Sequence, residues 1–154
     1  MRGAGRRYYI MTHAQKALKL FDGGCNCAQA LVAAFAEDMG MDVDTACRLS
    51  ASFGGGVGRM HDLCGAVSGM CMVLGALYGF GSTVTEEDKV AYYEQVRRLV
   101  DGFKDKYGSY ICRELLVSDE PHDHAWFRLN YCVHFVAFAA DLLDEYIASH
   151  PVLR

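Results

Sequence analysis

Apolar residues recur along this chain at spacings of three and four, and strict alternation is nearly absent, so the pattern predicts helices and no sheet. From about Tyr8 to Phe21, the residues Met11, Ala14, Leu18 and Phe21 share a face, and "DGG" at 22–24 ends the run. A second helix is predicted over 26–40, with Ala28, Leu31, Val32, Phe35 and Met39 as its stripe and Gly40 as its stop. A third, shorter helix opens at Asp42 or Asp44, either of which can cap it, and runs into "GGGVG" at 54–58. The uncharged stretch from Leu63 to Tyr78 reads as a helix apolar all round, with Asp62 as its natural cap. Thr85 and the following "EED" open a fifth helix that stops at Gly108. "SYICRELL" predicts a short sixth helix capped by Ser109. A seventh runs from about His122 to Ser149, with Trp126, Leu129, Val133, Val136, Ala140, Leu143 and Ile147 on one face. The expectation is a single all-α domain, residues 1–154, built as a bundle of six or seven helices around a buried, central, glycine-rich helix.

Composition narrows the function more than the fold. A chain of 154 residues, 52% hydrophobic and 22% charged, can bury a core without disulfide staples. A net charge of −4 gives no reason to expect nucleic acid as a partner. Residues 63–81 carry no charge and contain Gly65-x-x-x-Gly69, long enough to span a bilayer. They hold few large aliphatic side chains and have no second comparable stretch, so a buried helix explains them better than a membrane span. The N-terminal "MRGAGRRYYIMTHAQ" is basic without an apolar run behind it, so it does not read as a secretory signal. Met11 is an alternative start that would make residues 1–10 an upstream extension. A reducing cytoplasm is the simplest compartment, and the odd count of 7 cysteines rules out a complete set of intrachain disulfides.

Three cysteines fall near helix starts. Cys64, Cys27 and Cys112 would each meet free backbone N–H groups and the positive end of a helix dipole, which favour a thiolate. Gly65 and Gly69 weaken their helix by about 1 kcal/mol each, so a local reason for them is expected. Close packing of helices is the plainer one on spacing alone, and close approach of a cluster or substrate the other. Cys132, between Tyr131 and Val133, reads from context as a packed small residue. No C-x-x-C occurs, so neither a zinc ribbon nor a thioredoxin-type pair is indicated. The thiols of "CNC" at 25–27 would diverge, and Cys71 lies ~10 Å along the helix from Cys64, too far to share a bond or an ion.

Other polar residues admit two readings each. Arg59 and His61 could offset the charge of a thiolate or cluster, with His61 also able to relay protons, or they sit in a solvated loop. Gly54, Gly55, Gly56 and Gly58 suggest conformations that glycine takes easily, or close approach to a bound group. "GGGVG" is no phosphate loop, because neither a preceding strand nor a following G-K-[ST] is present. "HDH" at 122–124 is better explained by a capping Asp123 than by a metal, and His134 would point away from Cys132. Asn26 and Gln29 flank Cys27 as hydrogen-bonding neighbours. Tyr92, Tyr93, Trp126 and Phe127 fit either a core or the surface of a homodimer.

"GCNCAQALVAAF", "FGGGVGRMHDLCGAVSG", "CRELL" and "YCVHFV", in that order from about Phe21 to Tyr146, resemble the C_GCAxxG_C_C family of redox-active proteins. That family is defined by four cysteines and a C-G-A-x-x-G motif. The resemblance places the cysteines on Cys27, Cys64, Cys112 and Cys132 and the motif glycines on Gly65 and Gly69, and leaves Cys25, Cys47 and Cys71 incidental. The family is similar in turn to the iron–sulfur portion of split-Soret cytochromes, which implies an iron centre held by cysteines. No C-x-x-C-H is present, so covalent c-type haem is not implied. The expectation is a redox protein that is an electron carrier or oxidoreductase with an unidentified redox partner. Its four thiols would ligate an iron–sulfur cluster or exchange disulfides, with Gly56, Gly58, His61, Gly65 and Gly69 lining the cofactor. The alternative is a zinc-binding structural or sensor protein without catalysis.

Overall fold

The computed structural model describes residues 10–152, so residues 1–9, most of the candidate upstream extension, lie outside the described residues. The chain forms α1 (His13–Asp22), α2 (Cys27–Ala34), α3 (Val43–Ser50), a 3-10 turn (Ala51–Phe53), α4 (Gly65–Tyr78), α5 (Glu86–Tyr107), α6 (Cys112–Leu115), α7 (His124–Phe127), a π turn (Arg128–Cys132) and α8 (Val133–Ser149). The fold is all-α. β-pairing among the described residues is limited to one isolated antiparallel bridge between Leu63 and Ile111.

Most helix starts follow side-chain caps that satisfy the free N–H groups of the first turn. Thr12 with Gln15 and Asn26 with Gln29 form reciprocal capping boxes, and Asp42 and Thr85 each accept from the backbone three residues on. Gly108, at φ 83°, ends α5 in the left-handed conformation that glycine adopts without cost.

Two expected caps do other work. Asp62 does not cap α4, because residues 61–64 are pulled into pairing with 110–113 and the helix starts only at Gly65, with Cys64 at the N-cap position. The Asp62 carboxylate is instead bonded to Arg113. Ser109 lies two residues before the N-cap of α6, Ile111, accepting from its N–H at 3.0 Å and donating to Glu114.

Helix α2 stops at Ala34 rather than at Gly40. From Phe35 the N–H groups reach carbonyls three residues back (Phe35 to Val32, Ala36 to Ala33), which tightens the chain into turns until Gly40 at φ 71°. The long last helix is broken by the π turn, whose extra residue shifts the apolar stripe. Leu129, expected on the buried face, is consequently 70% exposed.

The element at the centre of the bundle is α2, not α4 alone. It packs against α1, α3, α4 and α8, and residues 30–36 are buried without interruption. The apolar helix α4 is buried along its first turns, Gly65 to Met70, while Gly75 and Ala76 are exposed. A Cβ on Gly69 would lie 3.1 Å from the Ala28 carbonyl oxygen and 3.2 Å from the Leu31 Cβ, so the missing side chain sets how close α4 comes to α2. No helix among the described residues is long and apolar enough to cross a membrane. Of the aromatics, Tyr92 and Tyr93 pack edge-on around Phe80 at a partly exposed corner, and Trp126 and Phe127 are half-buried beside Tyr131.

His13 stitches three parts of the bundle together. Its ring stacks on Phe35 at 3.9 Å, its Nδ1 lies 2.5 Å from Asp144 of α8, and its Nε2 lies 2.7 Å from Asp38 in the turn after α2. The group is partly solvated, so its ionic part is screened. Replacing His13 with alanine is expected to cost about 1–2 kcal/mol in urea unfolding, from the lost stacking and two carboxylates left close together. Adding Asp38→Asn should recover part of that loss; no recovery would mean that the stacking alone matters.

Candidate functional site

Four elements converge on one cavity of about 370 Å³, lined by Cys27, Cys64, Cys112 and Cys132. Each cysteine arrives by a different local device. Cys27 is the first residue of α2, fixed by the Asn26–Gln29 capping box. The Cys64 N–H donates to the Tyr110 carbonyl at 2.8 Å, the Cys112 N–H donates to Asp62 at 2.6 Å, and the Leu63–Ile111 bridge lies between them. That short ladder sets Cys64 beside Cys112. Gly65 then brings Cys64 to α2, because a Cβ there would sit 3.0 Å from the Cys27 Cβ and 3.1 Å from the Phe53 carbonyl oxygen.

Cys132 owes its place to the π turn, a feature that recurs at functional sites. One turn before it, Arg128 lies over the Phe21 ring at 3.8 Å and donates to the carbonyls of Phe21 at 3.0 Å and Cys25 at 3.1 Å. The guanidinium thereby ties the π turn to the α1–α2 loop and sets Cys132 against Cys27. The sequence context of Cys132 pointed to packing. The thiol is buried, but it faces the cavity.

The glycine-rich loop forms the remaining wall. Gly55, Gly56, Val57, Gly58 and Arg59 have successive φ angles of 64°, 67°, 65°, 54° and 64°, and His61 has 58°. Five consecutive residues in the left-handed region make a coil that L-residues enter at a cost of about 1–2 kcal/mol each. Bonds from Arg59 N–H to Gly54, His61 N–H to Gly55 and Asp62 N–H to Gly56 hold it. His61 Nδ1 ends 3.5 Å from Cys112 Sγ. Of the expected lining residues, Gly56, Gly58 and Gly65 border the cavity, while Gly69 lies deeper, at the α2–α4 contact.

The helix starts do not acidify these thiols. Burial, then the charge of Cys27, pushes Cys64 up to about 12, although the N–H groups of Ala66 and Val67 pull in the opposite direction. Burial, then Cys27, pushes Cys112 up to about 11, with Arg113 opposing. Cys27 is raised well above the usual thiol range by its hydrogen-bonding contact with Cys132, then by burial, with Arg128 opposing. Desolvation of the buried anion leads at Cys64 and Cys112, and the contact with Cys132 leads at Cys27, so the expected thiolates are held as neutral thiols.

The incidental cysteines separate as follows. Cys71 lies apart in α4, half-buried. Cys25 and Cys47 lie side by side: burial first, then the Cys25 thiol, raises Cys47. Sequence spacing gave no hint of this contact, because the two sit on the α1–α2 loop and on α3. The capping residue Asn26 reaches across to the Ala51 carbonyl at 3.0 Å, and Gln29 to that of Cys47 at 3.2 Å, so both brace the cavity rather than bind a sulfur. Asp123 caps α7 as expected, and His134 is exposed.

Residues 25–146, four-fifths of the chain, match the family profile described as "Putative redox-active protein (C_GCAxxG_C_C)". The chain belongs to this family. The comparisons with curated proteins and with solved structures returned no match. The four cysteines that the resemblance singled out, Cys27, Cys64, Cys112 and Cys132, line one cavity within this matched span, and Gly65 and Gly69 sit where α4 closes on α2.

Proposed function

We propose that the chain is an electron-transfer protein whose four cysteines, Cys27, Cys64, Cys112 and Cys132, ligate an iron–sulfur cluster. The observation that carries this reading is their convergence, from four separate elements, on one largely buried cavity. The donor set fits: soft sulfur ligands select iron–sulfur clusters, zinc or cuprous copper. Among the described residues no three His, Cys, Asp or Glu side chains crowd closely enough to share a single ion. A cavity of about 370 Å³ between the thiols leaves room for a group of several atoms, more than one tetrahedral zinc needs.

The raised thiol pKa values mean that ligation must displace a proton from each buried thiol. Neutral buried thiols make poor nucleophiles, but a bound metal deprotonates its coordinating thiols outright. The chain offers compensation for the resulting negative charge: Arg128 near Cys27, Arg113 near Cys112, and the N–H groups of Ala66 and Val67 at Cys64. A bound cluster would supply one-electron transfer.

Anaerobic loading with iron and sulfide, followed by iron and sulfide assay and a visible spectrum, tests this. Stoichiometric iron and sulfide with charge-transfer bands are expected. Each of Cys27→Ser, Cys64→Ser, Cys112→Ser and Cys132→Ser should lower the iron content at least about tenfold, as loss of a metal ligand does. Cys71→Ser should load normally. Zinc without sulfide would overturn the cluster reading.

A second reading rests on the contact between Cys27 and Cys132. Joining the two sulfurs releases two protons and two electrons, so the pair could cycle as a dithiol and disulfide. Failure to load iron, together with a Cys27–Cys132 disulfide mapped after treatment with oxidised glutathione, would favour this reading.

A further inference from the structure

Beside the cysteine cavity lies a recess of about 430 Å³ whose lining includes Arg59, His61, Arg113, His122 and His124 and no acidic side chain. The two spaces share Arg59, Leu116 and His124 as common wall. His61, 3.5 Å from Cys112 Sγ, stands between them. A chain of net charge −4 therefore gathers cationic and imidazole groups beside the cavity that holds the cysteines.

The acids near this wall are already engaged. Asp62 is bonded to Arg113, and Asp123 accepts from the Trp126 N–H at 2.9 Å. Arg59 makes no ion pair among the described residues, although it is held at φ 64° at the end of the left-handed coil. A non-glycine residue kept in that region is expected where surrounding structure or function requires it. The groups also feel one another: burial first, then Arg59, Arg128 and His61, push His124 below the usual histidine range, with Asp123 opposing. An anion seated beside Arg59 and the imidazole N–H groups would offset that repulsion. His122, stacked on Trp126 at 3.5 Å, gives the recess a fixed flat side. Its volume falls in the range of small-molecule sites rather than of a protein-docking surface.

We propose that this recess holds the phosphate or carboxylate end of a small redox molecule, so that its reacting part lies toward the cysteine cavity. The assignment of a small anionic reactant rests on the redox reading above, whereas anion binding itself can be measured without it. Two probes separate the two sources of negative charge: inorganic pyrophosphate for phosphate and citrate for carboxylate. Each is titrated calorimetrically into the full chain in phosphate-free buffer.

One saturable site is expected for at least one probe, and preference between them names the headgroup. Arg59→Gln combined with His124→Gln should weaken binding about tenfold or more, the scale of one lost charge-assisted hydrogen bond. Arg59→Lys should retain most of it, and Arg97→Gln on exposed α5 should change nothing. Circular dichroism checks that each variant folds, and the milder Arg59→Gln alone serves if the double variant does not. Absence of saturable binding by either probe, or binding unchanged in the Arg59 variants, overturns the proposal. Iron and sulfide content of the wild-type chain is measured separately, so failure of the anion site leaves the cluster reading standing, and failure of the cluster leaves the anion result interpretable.

Discussion

Gly56→Ala is expected to lower stability by roughly 2–5 kcal/mol, which for a chain of this size lowers the thermal midpoint by on the order of 10 °C. Two penalties add. At φ 67° an alanine enters the left-handed region, at about 1–2 kcal/mol. The new Cβ would also lie 2.6 Å from the Asp62 nitrogen, 2.8 Å from the His61 carbonyl carbon and 2.8 Å from the Cys112 Cβ. Two of those neighbours are backbone held by the ladder to 110–113, so they cannot swing aside, and overpacking of that kind costs about 1–3 kcal/mol. Gly58 is the matched control: its φ is 54°, but a Cβ there meets nothing within 4 Å. Gly58→Ala should therefore lose only the conformational part, about 1–2 kcal/mol. Equal losses at the two glycines would show that contact with Cys112 plays no part. Because the Gly56 clash presses on Cys112, iron loading should fall in Gly56→Ala and persist in Gly58→Ala.

In the metal-free chain, Cys64 should react with iodoacetamide at pH 8 about a thousandfold more slowly than in the unfolded chain, and Cys112 about a hundredfold more slowly. The thiolate is the reacting form, and each pKa unit removes about nine-tenths of it. Moving from the reference 9.0 to about 12 is three units for Cys64, and from 9.0 to about 11 is two for Cys112. Mass mapping of alkylated peptides over time reads both rates. Cys64 modified as fast as in the unfolded chain would sink the idea that burial governs these thiols. The same shifts set a pH dependence of stability. A thiol whose pKa is higher in the folded state holds its proton longer there, so its contribution is intact below pH 9 and is lost as pH rises toward 12 for Cys64. Alkaline unfolding of the metal-free protein should accordingly be less steep in Cys64→Ala than in wild type.

The features most legible in the sequence are those set within a few residues. Thr85, Asp42 and Asp123 cap helices where their spacing to the next apolar run places them, and Gly108 stops α5 as expected. Misreadings arise where a distant segment competes. Asp62 has every local property of a cap, yet Arg113, fifty-one residues on, takes its carboxylate. Cys64 sits at a helix start as predicted, but its acidity is decided by the bundle packed around it. Cys132 looks buried because it is, and only the π turn and the grip of Arg128 turn it toward Cys27. The adjacency of Cys25 and Cys47 has no sequence signature at all. The arginine before "LNYC" anchors the loop carrying Cys27 from more than a hundred residues away, a pairing that local spacing does not encode.

The grip of Arg128 has a consequence in time. Of the four gathered cysteines, Cys27, Cys64 and Cys112 precede residue 113, whereas Cys132 and its anchoring Arg128 follow it. During synthesis Cys132 emerges after the other three, so a nascent chain that has not reached it offers three of the four gathered thiols and an open side. The four-thiol cavity is thus closed only once the segment carrying Arg128 has joined the rest of the bundle, and a chain stalled before residue 128 lacks one of its walls.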